Sequence, residues 1–161
     1  MDDWDVVERQ LGRQPRGALA VVERCPFGRP AVIRQADYLP GGEPFPTTFY
    51  LTCPAAVAAV SRLEDAGGVA RYEQRVAEDE SAAASYRWAA DRQHALRRPA
   101  PAMADGGASL RLGIAGTARG GAVKCLHAHV AFALAQPGYE LGDRMVAEAA
   151  PLFPDAECCS A

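Results

Sequence analysis

The sequence predicts an α+β fold, with a small three-stranded antiparallel sheet near the N-terminus packed with several helices. Three observations carry that expectation. Two short apolar runs, Ala18–Arg24 and Ala31–Arg34, flank a Pro/Gly turn, which is the pattern of an antiparallel hairpin. A third run with aromatic and β-branched residues, Thr47–Thr52, follows one loop later. From Ala55 onward the segments read as helices, separated by Gly and Pro stops. The 161 residues, 49% of them hydrophobic, suffice for one core, so residues 1–161 are expected to form a single domain.

Taken in order, Asp3–Leu11 reads as a helix: Asp2 or Asp3 can cap it, and Trp4, Val7 and Leu11 fall at helical spacing. Residues Gly12–Gly17 stop it. The turn Cys25-Pro26-Phe27-Gly28-Arg29-Pro30 joins the first two strands. Asp37–Pro46 is a Pro/Gly loop with the look of an exposed recognition loop. Pro54 suits the first helical position, so Cys53 falls near the N-cap of a helix over Ala55–Asp65. Two further helices are expected over Val69–Asp79 and Ala82–Leu96. Arg97–Ala108 reads as a mobile loop. A last short helix is expected over Leu141–Ala149, and 154–161, with Cys158 and Cys159, as a frayed tail without a role.

Charge and hydropathy remove several function classes. A net charge of −3 does not suit a general nucleic-acid binder. No run of 18 apolar residues exists, so no membrane span is expected. The acidic, amphipathic start lacks the apolar segment of a signal peptide. A cytoplasmic protein with reduced thiols is expected, and five cysteines fit poorly with a disulfide framework.

Chemistry concentrates between Leu112 and Gln136. This stretch holds His127, His129, Cys125 and Lys124, the single lysine beside sixteen arginines. A loop with Gly113, Gly116, Gly120 and Gly121 leads into an apolar helical pattern. Glycines ahead of a helix leave N–H groups free to face an anion, and the helix dipole adds to that. Gly116, Arg119, Gly120, Gly121 and Lys124 are therefore the candidate site for a small anionic ligand, a phosphate or a carboxylate. The spacing is not that of a nucleotide-binding P-loop.

Two chemical readings of the cysteines and histidines stay open. Cys25, Cys53 and Cys125 with one histidine would make a Cys3His set for zinc, or hold an iron–sulfur cluster, where Cys-Pro pairs are familiar. Cys125 and His129 stand four residues apart and share a face of a regular helix. Cys125 and His127 converge only if the helix starts after them. In the alternative reading Cys125 is an activated nucleophile at a helix N-terminus, with His127 as its base and Lys124 beside it. Against both stands ordinary packing, since cysteine is among the most buried residue types.

The segments LGRQPRG, CPFGRPAVIR, PFPTTFYLTCP and above all VKCLHAH resemble a bacterial domain-of-unknown-function family, number five hundred and one. The resemblance spans residues 3–145. It implies a soluble bacterial protein, often encoded near a septum-formation initiator and an exopolyphosphatase. A non-catalytic interaction module linked to division or phosphate metabolism is thus a third reading. The resemblance implies no activity, cofactor or fold. Lys124, Cys125 and His127 match the core of its most specific motif, so the family pattern favours His127 where helical spacing favours His129.

Overall fold

The structure is a computed structural model that describes residues 1–158; the remaining residues of the expected tail, Cys159 among them, lie outside the described part. Its sheet grows from the predicted hairpin. Strands β1 (Ala18–Arg24) and β2 (Pro30–Gln35) pair antiparallel, and β2 pairs antiparallel with β3 (Phe49–Leu51), in the order β1-β2-β3. The hairpin turn closes with Gly28 N–H on Cys25 O (2.9 Å) and Cys25 N–H on Arg29 O (2.9 Å). Gly28 takes φ 78°, a conformation that glycine adopts without strain. β2 is the buried centre, with Ala31, Val32 and Ile33 sealed from solvent. β1 is an edge broken by register shifts, and it leaves Leu19 exposed. β3 is shorter than the expected run. Thr48 and Thr52 still bond across to Gln35 and Ala31 on either side of it.

Among the described residues, six helices complete the fold. α1 (Asp3–Leu11) opens with a reciprocal cap between Asp2 and Asp5 and ends at Gly12. It buries Val6 and Val7 but leaves Trp4 partly exposed. α2 (Pro54–Asp65) begins where Pro54 predicts, with Cys53 at the N-cap. α3 (Gly68–Glu78) and α4 (Glu80–Leu96) follow. Asp79 caps α4 through Ser81 and Ala82 N–H, so the helix starts two residues earlier than its apolar pattern suggests. α5 (Leu126–Ala135) and α6 (Glu140–Ala149) close the fold. α5 is the central helix: Leu126 and Ala128 to Ala133 are all buried, against β3, α2 and α6. No helix of the described residues is long and apolar enough to cross a membrane.

Two loops are tied together by buried charge, with Pro40, Gly41, Glu43 and Pro44 leaving the tip of the first exposed as expected. The Arg97 side chain is fully buried and lies 3.4 Å from Asp37 Oδ1, with Nη2 donating to Phe45 O at 3.1 Å. Arg34 reaches the other Asp37 oxygen at 3.1 Å, and Arg98 N–H donates to it at 2.8 Å. One buried carboxylate thus ties the 37–46 loop to the end of α4. Farther along, Tyr38 O–H donates to Asp105 Oδ1 (2.8 Å), which also accepts from Gly107 N–H. The 97–108 segment is therefore pinned across the 37–46 loop, and two short 3-10 turns, Ala108–Arg111 and Ile114–Gly116, continue it. At the other end, Cys158 packs against the core.

Candidate metal centre

α2 and the start of α5 build the site together. Val57, Ser61 and Glu64 follow one another at spacings of four and three, so they share one face of α2. α5 begins only at Leu126. Cys125 is its N-cap in extended conformation (φ −148°), and His127 lies in its first turn. The approach is tight: Lys124 takes φ 63°, and Cys125 N–H bonds back to Val123 O at 2.7 Å. A non-glycine residue in the left-handed region is uncommon, and here it turns the chain so that Cys125 and His127 face the same way.

Glu64 closes the arrangement. Its Oε1 accepts the Leu126 N–H at 2.7 Å and lies 3.2 Å from His127 Nδ1. On the other edge of the ring, His127 Nε2 lies 3.1 Å from both Val57 O and Ser61 Oγ. A carbonyl can only accept, so Nε2 carries a proton and Nδ1 is the nitrogen turned toward Glu64 and Cys125. Cys125 Sγ is 4.0 Å from Nδ1. The Cys125 sulfur beside it pushes the His127 pKa up to about 9 against the effect of burial, with the Glu64 charge and the Val57 carbonyl adding to the shift. The ligand atoms of Glu64, Cys125 and His127 all lie within 4.8 Å of one another, and among the described residues they are the one such group of three.

Cys25 and Cys53 stand outside that group. Both are buried in the core, Cys25 on the hairpin turn and Cys53 at the head of α2. His129 is also excluded. It is wholly buried, its Nε2–H donates to Val123 O (3.1 Å), and its Nδ1 accepts from Tyr139 O–H (2.7 Å). Burial brings its pKa down to about 4, so it is a neutral core histidine with both nitrogens used. The i,i+4 argument for His129 fails because Cys125 precedes the helix rather than lying within it.

The glycine loop is divided. Arg119, Gly120 and Gly121 line a cleft of about 690 Å³ between α3 and α4, with Tyr86 and Arg87 on its far wall. Gly116 sits away from it, against Pro46, and Lys124 is exposed. Two backbone donors here already have anions of the chain's own: Leu126 N–H, the first of α5, meets Glu64, and Val123 N–H, ahead of the helix, meets Glu73 Oε1 at 3.0 Å. The residue that sequence reasoning missed is Glu64. Nothing local marks it, because its partners Cys125, Leu126 and His127 lie 61 to 63 positions downstream.

Cys125 and His127 open onto a groove of about 270 Å³ beside β3, whose other walls include Phe49, Tyr50, Leu51 and Val57. Fold and site together define a small α+β protein with a Cys-x-His pair completed by a carboxylate from a neighbouring helix. Over residues 21–148 the chain matches the family described as protein of unknown function (DUF501), and it belongs to that family. No curated protein and no solved structure matches it.

Proposed function

We propose that Glu64, Cys125 and His127 bind a single zinc ion, with the fourth coordination position open to the groove beside β3. The convergence of their three ligand atoms within 4.8 Å carries this reading. Thiolate, imidazole and carboxylate are all zinc donors, and three protein ligands with one open position is the pattern of a reactive rather than a closed structural site. The second shell supports it as well. His127 Nε2–H is held by Val57 O, which leaves Nδ1 for the metal, and Leu126 N–H orients the Glu64 carboxylate. A metal at Nδ1 takes the place of a proton that the same acceptors otherwise favour. One sulfur among three donors speaks for a single ion over an iron–sulfur cluster, which is held by four cysteines as a rule.

The thiol-enzyme reading has weaker support. In a nucleophilic triad the acid sits on the ring nitrogen opposite the nucleophile. Here Glu64 and Cys125 both face Nδ1. Metal analysis of the purified protein tests the proposal. One zinc per chain is expected, lost in Cys125→Ser, Glu64→Gln and His127→Gln and retained in Cys25→Ser. Protein that is metal-free as purified and takes up no zinc on titration would refute it.

A further inference from the structure

The proposed centre has a charge balance that constrains what can occupy its open position. A metal-bound thiol is deprotonated. Zn²⁺ with the Cys125 thiolate, the Glu64 carboxylate and neutral His127 therefore sums to zero. The groove in front of it, Thr47, Phe49, Tyr50, Leu51, Val57 and Ala128, contributes no Lys, Arg, Asp or Glu. An anion entering there would lose its hydration without gaining a counter-charge, which is costly. The cleft between α3 and α4 is different, because Arg87 and Arg119 both line it.

Resting on the zinc reading, we propose that this groove binds a compact, uncharged molecule, its one neutral oxygen donor on the metal and its apolar body along Phe49, Leu51 and Val57. A carbonyl or alcohol oxygen is the chemical class that fits. The size follows from the volume: 270 Å³ corresponds to about nine water volumes. That is room for one aromatic ring or a short alkyl chain and its head group. Phe49 and Leu51 are buried, so the wall behind the ligand is fixed by the core, while Val57 of α2 is half-buried. Discrimination is expected to come from the apolar body, since each buried methylene favours association.

The test uses the full chain loaded with Co²⁺, whose sulfur-to-cobalt and d–d bands report the site directly. Benzamide, acetamide, benzoate and inorganic phosphate are titrated in turn. Benzamide should shift the d–d bands saturably, about tenfold or more tighter than acetamide, and tighter than benzoate of the same size. Val57→Ala, which keeps the backbone carbonyl at position 57, should weaken benzamide several-fold and leave the sulfur-to-cobalt band in place. If the bands form but benzoate or phosphate binds better than benzamide, or acetamide matches it, the uncharged-ligand inference is wrong and the metal reading stands. If no sulfur-to-cobalt band forms, the metal reading fails and takes this inference with it.

Discussion

Glu64→Gln separates the three roles that converge on one carboxylate. In the metal-free protein, glutamine keeps an oxygen for the Leu126 N–H, now 2.7 Å from Glu64 Oε1, but loses the charge. A hydrogen bond to a charged group contributes about 1.5–3 kcal/mol and one to a neutral group about 0.5–1.5, so this change costs about 1 kcal/mol. The pairing with His127 adds less than about 1 kcal/mol, because each side chain is roughly a quarter exposed. The sum, about 1–2 kcal/mol, corresponds to about 2–8 °C in Tm for a chain of this length. Glu64→Ala should cost more, because the N–H of the fully buried Leu126 then has no partner, a penalty of about 1–3 kcal/mol. With zinc at a hundredfold excess over its Kd the parent protein gains about 2.7 kcal/mol, and both variants should gain far less. Urea unfolding followed by far-UV circular dichroism, with zinc and with chelator, reads all of these quantities. Equal destabilisation by Gln and Ala, together with a zinc gain unchanged from the parent, would refute both the capping and the ligand role.

Other perturbations probe the elements around the site. In Gly142→Ala the new Cβ would lie 2.4 Å from Tyr139 Cδ1 and 2.7 Å from Ala133 Cβ. Overpacking of about 1–3 kcal/mol is expected, read as a lowered Tm with a changed near-UV signal from Tyr139. Tyr139→Phe removes the O–H that donates to His129 Nδ1 and should cost about 1–3 kcal/mol by chemical denaturation; a neutral result would mean the His129 bond is not formed. Lys124→Gly relieves a left-handed non-glycine residue at φ 63° and should be neutral or stabilising by up to about 1 kcal/mol, so a clear loss of stability would contradict the strain argument. His129 has its pKa lowered from 6.5 to about 4, so the unfolded chain binds its proton more readily. Its contribution is complete above about pH 6.5 and is lost as pH falls through about 4, an amount on the order of 3 kcal/mol. Relative to the parent, His129→Phe should show a flatter stability profile over that interval.

The sheet and the six helices were legible because local signals mark them. The Cys25–Pro30 turn marks the hairpin, Pro54 the start of α2, and the apolar runs the buried faces. The tie between the two loops was not legible because composition hides long-range charge. Nothing near Asp37 in sequence says that Arg97, sixty residues on, will be buried against it. The site was half legible. VKCLHAH carries Cys125 and His127, but the choice between His127 and His129 depended on where α5 begins, and boundaries are the least certain part of a periodicity argument. Once Cys125 is an N-cap, His127 faces it and His129 turns inward to Tyr139.

Glu64 also shows that a glycine-rich approach to a helix need not leave the first N–H of α5 free for a dissolved anion. A helix N-terminus stabilises negative charge wherever that charge comes from. A carboxylate on a neighbouring helix is always present at high local concentration, whereas a dissolved anion must be bound from solution. Here α2 places Glu64 Oε1 on the Leu126 N–H, and α3 places Glu73 on the Val123 N–H. Two of the N–H groups on this approach thus hold the chain's own acids. That substitution changes the chemistry of the site: the carboxylate fixed by the helix end is itself turned toward His127 Nδ1 and the Cys125 sulfur. The same N-terminus that repels a cation on its own thus becomes, with Glu64 docked, a place where a cation is the missing partner.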